Sequence, residues 1–302
     1  MKTLFLFISA FVFAVAGYGQ VTKNYRAEIE DWRTTHEAEL KTDNGWLTVV
    51  GLFWLKDGKS TIGSGPGYDI ELTDNFKTGK FGEIDFSGGK AVLTVVDGVE
   101  ATTDGKLVKT LELASDEKGK PTVIRTGSQT FYLIKREERF GIRLKDSNSK
   151  ARRDFTHLNW YTPDPKLRVT AKFEKYPTAK EVLIPNVLGG EFKMKSPGLL
   201  KFKLGGKPIT LETVDEGEGQ LFIIFRDLTS RSETYGAGRF LYADKPTTDT
   251  VVLDFNKAEN PPCAFTSFAT CPLPPQQNRL QIEIKAGEKR YGHSTESSKE
   301  EE

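Results

Sequence analysis

The chain has 302 residues, with 43 Lys plus Arg against 42 Asp plus Glu, a formal net charge of +1. That balance gives no global field for nucleic acid or an acidic membrane, so only a local patch would attract either. The length allows one large or two ordinary domains with an ample core. A hydrophobic content of 37% with 28 Gly, 20 Phe and 9 Tyr describes a β-rich globule rather than a disordered chain, and two Cys with three His exclude a multi-zinc protein.

Residues 1–19 read as a secretory signal. Met1 and Lys2 supply the basic start, Leu4 to Val15 is apolar except for Ser9, and Gly17 and Gly19 flank Tyr18 before cleavage ahead of Gln20. The run is too short to span a bilayer, and no Cys follows it to carry a lipid. Cleavage takes Lys2 and leaves the two signs equal, so the expected mature protein is neutral, exported, and periplasmic or extracellular. No later stretch has membrane-spanning length, so no transmembrane segment is expected.

Residues 22–41 carry a helical pattern, with Ile29, Trp32, His36 and Leu40 on one face. His36 reads as a packed helix residue rather than a ligand, because no second ligand lies at helical spacing. Asp43-Asn44-Gly45 ends the helix. From Trp46 the pattern changes to short strands separated by turns. They are Leu47 to Leu55, Ser60 to Gly63, Asp69 to Leu72, Gly82 to Phe86 and Ala91 to Val96. Leu107 to Leu113, Thr122 to Ile124, Thr130 to Arg136 and Gly141 to Leu144 follow. Turns at Asp57-Gly58, Gly88-Gly89, Asp97-Gly98 and Asp104-Gly105 recur at the spacing of a sandwich or barrel. Asp146 to Arg153 is polar and basic and reads as a join.

Beyond the Pro-rich Asn159 to Pro165, further strands are expected at Arg168 to Phe173, Val182 to Val187, Gly198 to Leu204 and Leu221 to Arg226. Arg239 to Ala243, Val251 to Phe255 and Leu280 to Lys285 complete the series. None has a helical partner, which excludes parallel βαβ units. The expected fold is mainly β, an N-terminal helix followed by two antiparallel sandwich or barrel-like halves. The divisions are a signal over 1–19, a helix and sandwich over 20–153, a second β domain over 154–290, and a frayed polar tail over 291–302.

Familiar catalytic motifs are missing. No Ser sits in a Gly-x-Ser-x-Gly elbow, the three His lie apart at 36, 157 and 293, and neither His-x-x-x-His nor Cys-x-x-Cys occurs. Gly63-Ser64-Gly65-Pro66-Gly67 lacks the Lys and helix of a phosphate loop and reads as a turn. No cofactor or metal is expected. Cys263 and Cys271, between Pro261-Pro262 and Pro272, form either a redox pair or a disulfide staple, and the absence of the Cys-x-x-Cys spacing favours the staple.

Polar groups are dense between residues 226 and 288. Asp227, Tyr235, Arg239 and Asp254 are the catalytic candidates: a carboxylate as acid or base, and a guanidinium as charge stabiliser. Asn256, Lys257, Asn260, Asn278 and Arg279 are candidate ligand-binding residues for a small anionic or sugar-like molecule. The same groups can instead bond one another and tie loops to the β scaffold.

Gly45-Trp46-Leu47-Thr48-Val49-Val50-Gly51-Leu52-Phe53-Trp54-Leu55, Ile62-Gly63-Ser64 and Gly141-Ile142-Arg143-Leu144-Lys145-Asp146 resemble a bacterial family known as domain of unknown function 1684. So do Thr234-Tyr235-Gly236-Ala237-Gly238-Arg239-Phe240-Leu241, the stretch from Asp254 to Phe265, Cys271-Pro272-Leu273-Pro274-Pro275 and Asn278-Arg279-Leu280. The likeness covers nearly all of residues 25–290. It implies no activity, and it directs attention to residues 227–279. Asp57-Gly58, Ile62-Gly63-Ser64 and Asp69 to Leu72 are also similar to the opening strands of the forkhead-associated sandwich. Ser64 replaces that fold's phosphate-binding Arg, so its phosphopeptide activity is not implied.

Three functions remain open from these residues: an enzyme on a small anionic or carbohydrate-like molecule, a non-catalytic envelope interaction or scaffold protein, and a structural domain whose polar cluster only holds loops.

Overall fold

The computed structural model describes residues 9–292 except 74, 75, 77, 78 and 218, with side chains described from residue 24 onward. Residues 1–8 of the predicted signal therefore lie outside the described residues, as do His293 and the end of the tail.

The helix runs Ser9–Leu40, longer at its start than the apolar periodicity of 22–41 indicates. Ile29 and Leu40 are buried along it, and Tyr25, Arg33 and His36 point into the rest of the molecule. None of the described helices is long and apolar enough to cross a membrane.

The first half folds as two sheets over one core. Val49–Trp54 pairs with Arg139–Asp146, which pairs with Gln129–Arg136 and then Val123–Thr126. The second sheet runs through Ile70–Leu72, Gly58–Ser64, Lys80–Ser87, Lys90–Val95 and Thr110–Leu113. Its first pair, Gly58–Ser64 with Ile70–Leu72, is parallel. Alternation sends Ile84 and Phe86 from one sheet, and Ile142 and Leu144 from the other, into a shared apolar layer with Phe81 and Phe131. Residues 46–48 form a 3-10 turn rather than the start of a strand. The polar join contains a short helix, Lys150–Asp154, capped by the Ser149 hydroxyl.

The second half is one antiparallel sheet around its own core. Arg168–Pro185 is a single 18-residue strand, so the two strands expected at its ends are continuous, and it forms a hairpin with Glu191–Leu204. Lys207–Glu212, Val214–Asp215, Gln220–Phe225, Arg239–Asp244 and Thr250–Asp254 complete a sheet that nearly closes on itself. Gln220–Phe225 is buried on both faces. Leu221, Ile223 and Phe225 point into the main core, while Phe222 and Ile224 point into a second cluster with Phe240, Ala269 and Cys271. Such a strand reads as an unbroken apolar run, which this one does.

Residues 280–285, expected as a strand, are irregular. Leu280 and Ile282 bond the backbone of Arg226 and Leu228, but Ile284 goes to side chains: its amide donates to Asp227, and its carbonyl accepts from Arg239.

Candidate functional site

The polar residues singled out between 227 and 279 divide by their surroundings. Asp227 and Arg239 form an ion pair at 3.2 Å with both side chains fully buried. Asp227 also accepts from the Thr229 hydroxyl and the Ile284 amide, and Arg239 donates to the carbonyls of Ala286 and Ile284. Every one of these contacts holds the chain's own loops, so the pair has no face for a substrate. The Tyr235 hydroxyl donates to the Cys263 carbonyl at 3.0 Å.

Asp254 accepts from the Tyr25 hydroxyl at 2.8 Å and from the Asn256 amide. Asn256 in turn donates to the Asp164 carbonyl and accepts from the Asp164 amide, while Lys257 pairs with Glu28 of the helix at 3.0 Å. These residues clamp the N-terminal helix to the end of the Thr250–Asp254 strand. Asn278 is spent on the backbone of Glu212 and Ile224, and Arg279 on the Pro274 carbonyl. Eight of the nine candidates thus lie away from the main cavity, and only Asn260 lines it.

That cavity, of about 410 Å³, opens where the helix, the first sandwich and the second face of the C-terminal sheet meet. Its apolar wall is built from Trp46, Met194, Phe222, Phe240 and Phe265, with Cys271 beside them. Cys263 and Cys271 are disulfide-bonded, eight residues apart in sequence with Cα atoms 6.2 Å apart. The loop they close carries Phe265 and Thr270 into the cavity.

One charged wall comes from the first half. In Arg139–Asp146, Ile142 and Leu144 face the sandwich core, so Arg143 projects from the opposite face. Its guanidinium lies 5.3 Å from the centre of the Trp46 ring and donates to the Thr270 hydroxyl at 3.3 Å. Arg136, on the neighbouring strand, donates to the same hydroxyl at 3.0 Å. Arg136 has a carboxylate partner, Asp116, at 2.8 Å. Arg143 is only 3% exposed, its Nε has no hydrogen-bond partner, and no carboxylate pairs with it among the described residues. Burial pushes its pKa below the ordinary value. Lys145, two residues on and on the same face, is pushed down to about 8, first by burial and then by Arg143.

The other charged wall is built from distant sequence. His36 stacks on Trp32 at 5.2 Å, a helical i, i+4 contact. Its Nδ1 lies 3.3 Å from Glu259, and its Nε2 lies 3.7 Å from Glu288, an ion-pair distance beyond hydrogen bonding. Glu288 is held by the Asn260 backbone amide and side-chain amide. The Glu259 backbone exchanges both hydrogen bonds with Phe240, fixing its position. Burial pushes Glu259 up to about 7, with His36 opposing and Glu288 adding to the rise. Burial pushes His36 down, but the carboxylates, Glu288 foremost, outweigh it and raise its pKa. The two carboxylates sit on opposite edges of one ring and do not converge on a common point. Among the described residues no group of His, Cys, Asp or Glu is arranged to hold a metal ion.

A larger depression of about 850 Å³ is lined by His157, Trp160 and Arg290 among others, but no buried unpartnered side-chain atom borders it. The 410 Å³ cavity has three such residues on its lining: His36, Arg143 and Asn260. Sequence reasoning passed over Arg136 and Arg143 and took His36 as packing. The available signal for Arg143 was a guanidinium placed between Ile142 and Leu144, on the strand face it shares with Arg139 and Lys145.

Among curated proteins, none matches the chain. One similar solved structure is the solution NMR structure of an uncharacterized protein from gene locus rrnAC0354 of Haloarcula marismortui. It is 30% identical, covers 46% of this chain and 80% of its own, and has a TM-score of 0.39. Another is titled "Rv0020c_FHA Structure", 23% identical over 32% of this chain and 92% of its own, with a TM-score of 0.21. Both superpositions are loose. Residues 153–289 match the family described as "Protein of unknown function (DUF1684)", a span that begins after the strings of the first half. The matched residues contain the C-terminal sheet, the disulfide loop, Glu259 and Glu288.

Proposed function

We propose that the 410 Å³ cavity binds a small organic anion with an apolar body, and that the protein is a ligand-binding protein of the exported type. The observation that carries this reading is Arg143, a buried guanidinium on the cavity lining that forms no ion pair among the described residues. An uncompensated buried charge costs several kcal/mol. A cation–π contact with Trp46 and a neutral hydroxyl offset only part of that cost, roughly 2 kcal/mol for the former when desolvated. A carboxylate or phosphate on Arg143, with its body against Trp46, Phe240 and Phe265, completes the set of contacts. Export rests on the pattern of residues 1–19 and is compatible with a disulfide.

The test is calorimetric titration of the protein with caprylate and phenylpropanoate, repeated on Arg143→Met. Affinity falls tenfold or more in the variant, about 1.4 kcal/mol. Its ligand-free melting temperature does not fall, because the substitution removes a lone buried charge. A variant that binds equally well, or one that unfolds, refutes the reading.

A second reading, turnover of the bound anion by general acid–base chemistry, is favoured by Glu259, whose carboxyl titrates near 7 at the cavity wall. It requires a pH–rate profile that turns near 7 in the native protein and is lost in Glu259→Gln.

A further inference from the structure

Besides Glu216, the charged residues of the cavity lining fall into two groups of opposite sign. On the sandwich side, Arg136 and Arg143 face a single paired carboxylate, Asp116, leaving an excess positive charge. On the helix side, Glu259 and Glu288 flank one imidazole, so two carboxylates share a single basic partner. Asn260, 3% exposed and on the cavity lining, carries a second mark on the negative side. Its amide nitrogen is fully used on Glu288 and Lys289, but its carbonyl oxygen is buried without a donor. Buried acceptors are rarely left so. Apolar and aromatic side chains, Met194, Phe222 and Phe240 among them, complete the lining.

We infer that the ligand of this cavity is a small zwitterion, an amino acid or short apolar peptide, with its carboxylate on Arg143 and its ammonium group on Glu259 and Asn260. The inference rests on the anion reading and adds to it the second charge. An ammonium group supplies the donors that Asn260 Oδ1 lacks and gives the two glutamates a second cationic partner. Aromatic faces such as Phe240 and Tyr242 suit a cation as well as an apolar body. A ligand with only a carboxylate would leave this wall unsatisfied, and discrimination by buried polar groups left unpaired is large.

The experiment titrates the protein with leucyl-leucine and phenylalanine, and with the N-acetyl and amide derivatives of each, which keep the body and remove one charge. The free forms bind at least tenfold more tightly than either blocked form, and the tighter of the two free forms tells a peptide from an amino acid. Glu259→Gln removes the preference of free over acetylated forms, and Glu259→Asp, which keeps the charge, restores most of it. Thermal melts of both variants show that they are folded. Equal affinity for acetylated and free forms, or a preference unchanged in Glu259→Gln, overturns the zwitterion inference and leaves the anion reading standing. No binding by any acid-bearing probe, the acetylated ones included, overturns both.

Discussion

Replacing Arg239 with Ala separates a structural role from a binding one. Arg239 and Asp227 are both fully buried, and the guanidinium serves one carboxylate and two backbone carbonyls. Removing one member of a buried ion pair costs about 3–5 kcal/mol, because the remaining charge stays in the interior without its counterpart. The Ala286 and Ile284 carbonyls lose their donor as well, which places the expected loss at the upper end of that range. For domains of this size, each kcal/mol lowers the melting temperature by about 2–4 °C, so Arg239→Ala is expected to melt roughly 10 °C or more below the native protein. The assay is a circular dichroism melt with a parallel urea titration. Asp227→Leu combined with Arg239→Met, which removes both charges while keeping bulk, recovers much of the loss. An unchanged melting temperature in Arg239→Ala, or a double variant no better than the single one, refutes the assignment of this pair to holding residues 282–287 in place.

The His36 and Glu259 wall predicts a pH dependence of stability. Glu259 titrates near 7 when folded and near 4.5 when unfolded, so the folded state holds a proton that the unfolded state has lost, and stability falls as pH rises between those values. His36, raised above 6.5, contributes stability that is complete below that pH and is lost as pH rises through its folded value, in the same direction. The Glu259 share of the fall is about 3 kcal/mol, read from urea titrations at a series of pH values, and Glu259→Gln flattens the lower part of the curve. Reducing the Cys263–Cys271 bond releases a short loop worth about 2–3 kcal/mol by chain entropy. Because that loop carries Phe265 and Thr270, caprylate affinity is expected to fall with it, and titration in the presence and absence of reductant measures both effects. Gly238→Ala is expected to destabilise by about 2–3 kcal/mol in a thermal melt. Its φ is +113°, and a Cβ would stand 2.6 Å from the Phe225 carbonyl oxygen.

Much of the local structure was legible from residue patterns alone. Alternation in Lys80–Ser87 and Lys90–Val95, with the Gly88-Gly89 turn between them, specifies a hairpin because side chains on a strand must alternate between faces. The apolar spacing of residues 22–41 specifies a helix for the same kind of reason. Patterns mislead where side chains replace the backbone ladder. Leu280, Ile282 and Ile284 alternate like a strand, yet the last of them is held by Asp227 and Arg239. The density of polar groups between 226 and 288 was visible, but which of them face solvent, backbone or a cavity was not. That depends on what each side chain meets across the fold: Asp254 meets Tyr25 from the helix, whereas Asn260 meets Glu288 and an open space.

The sequence by itself determined a nearly neutral, mainly β chain with a leading helix, since composition and short-range periodicity suffice for those. Only the tertiary structure decided where the chemistry lies. His36 gains its glutamates from more than 200 residues away, and Arg143 becomes a buried lone charge only when Trp46 and Thr270 close over it. A charge acquires its meaning from its burial and its partners, and both are properties of the folded contacts rather than of neighbours along the chain.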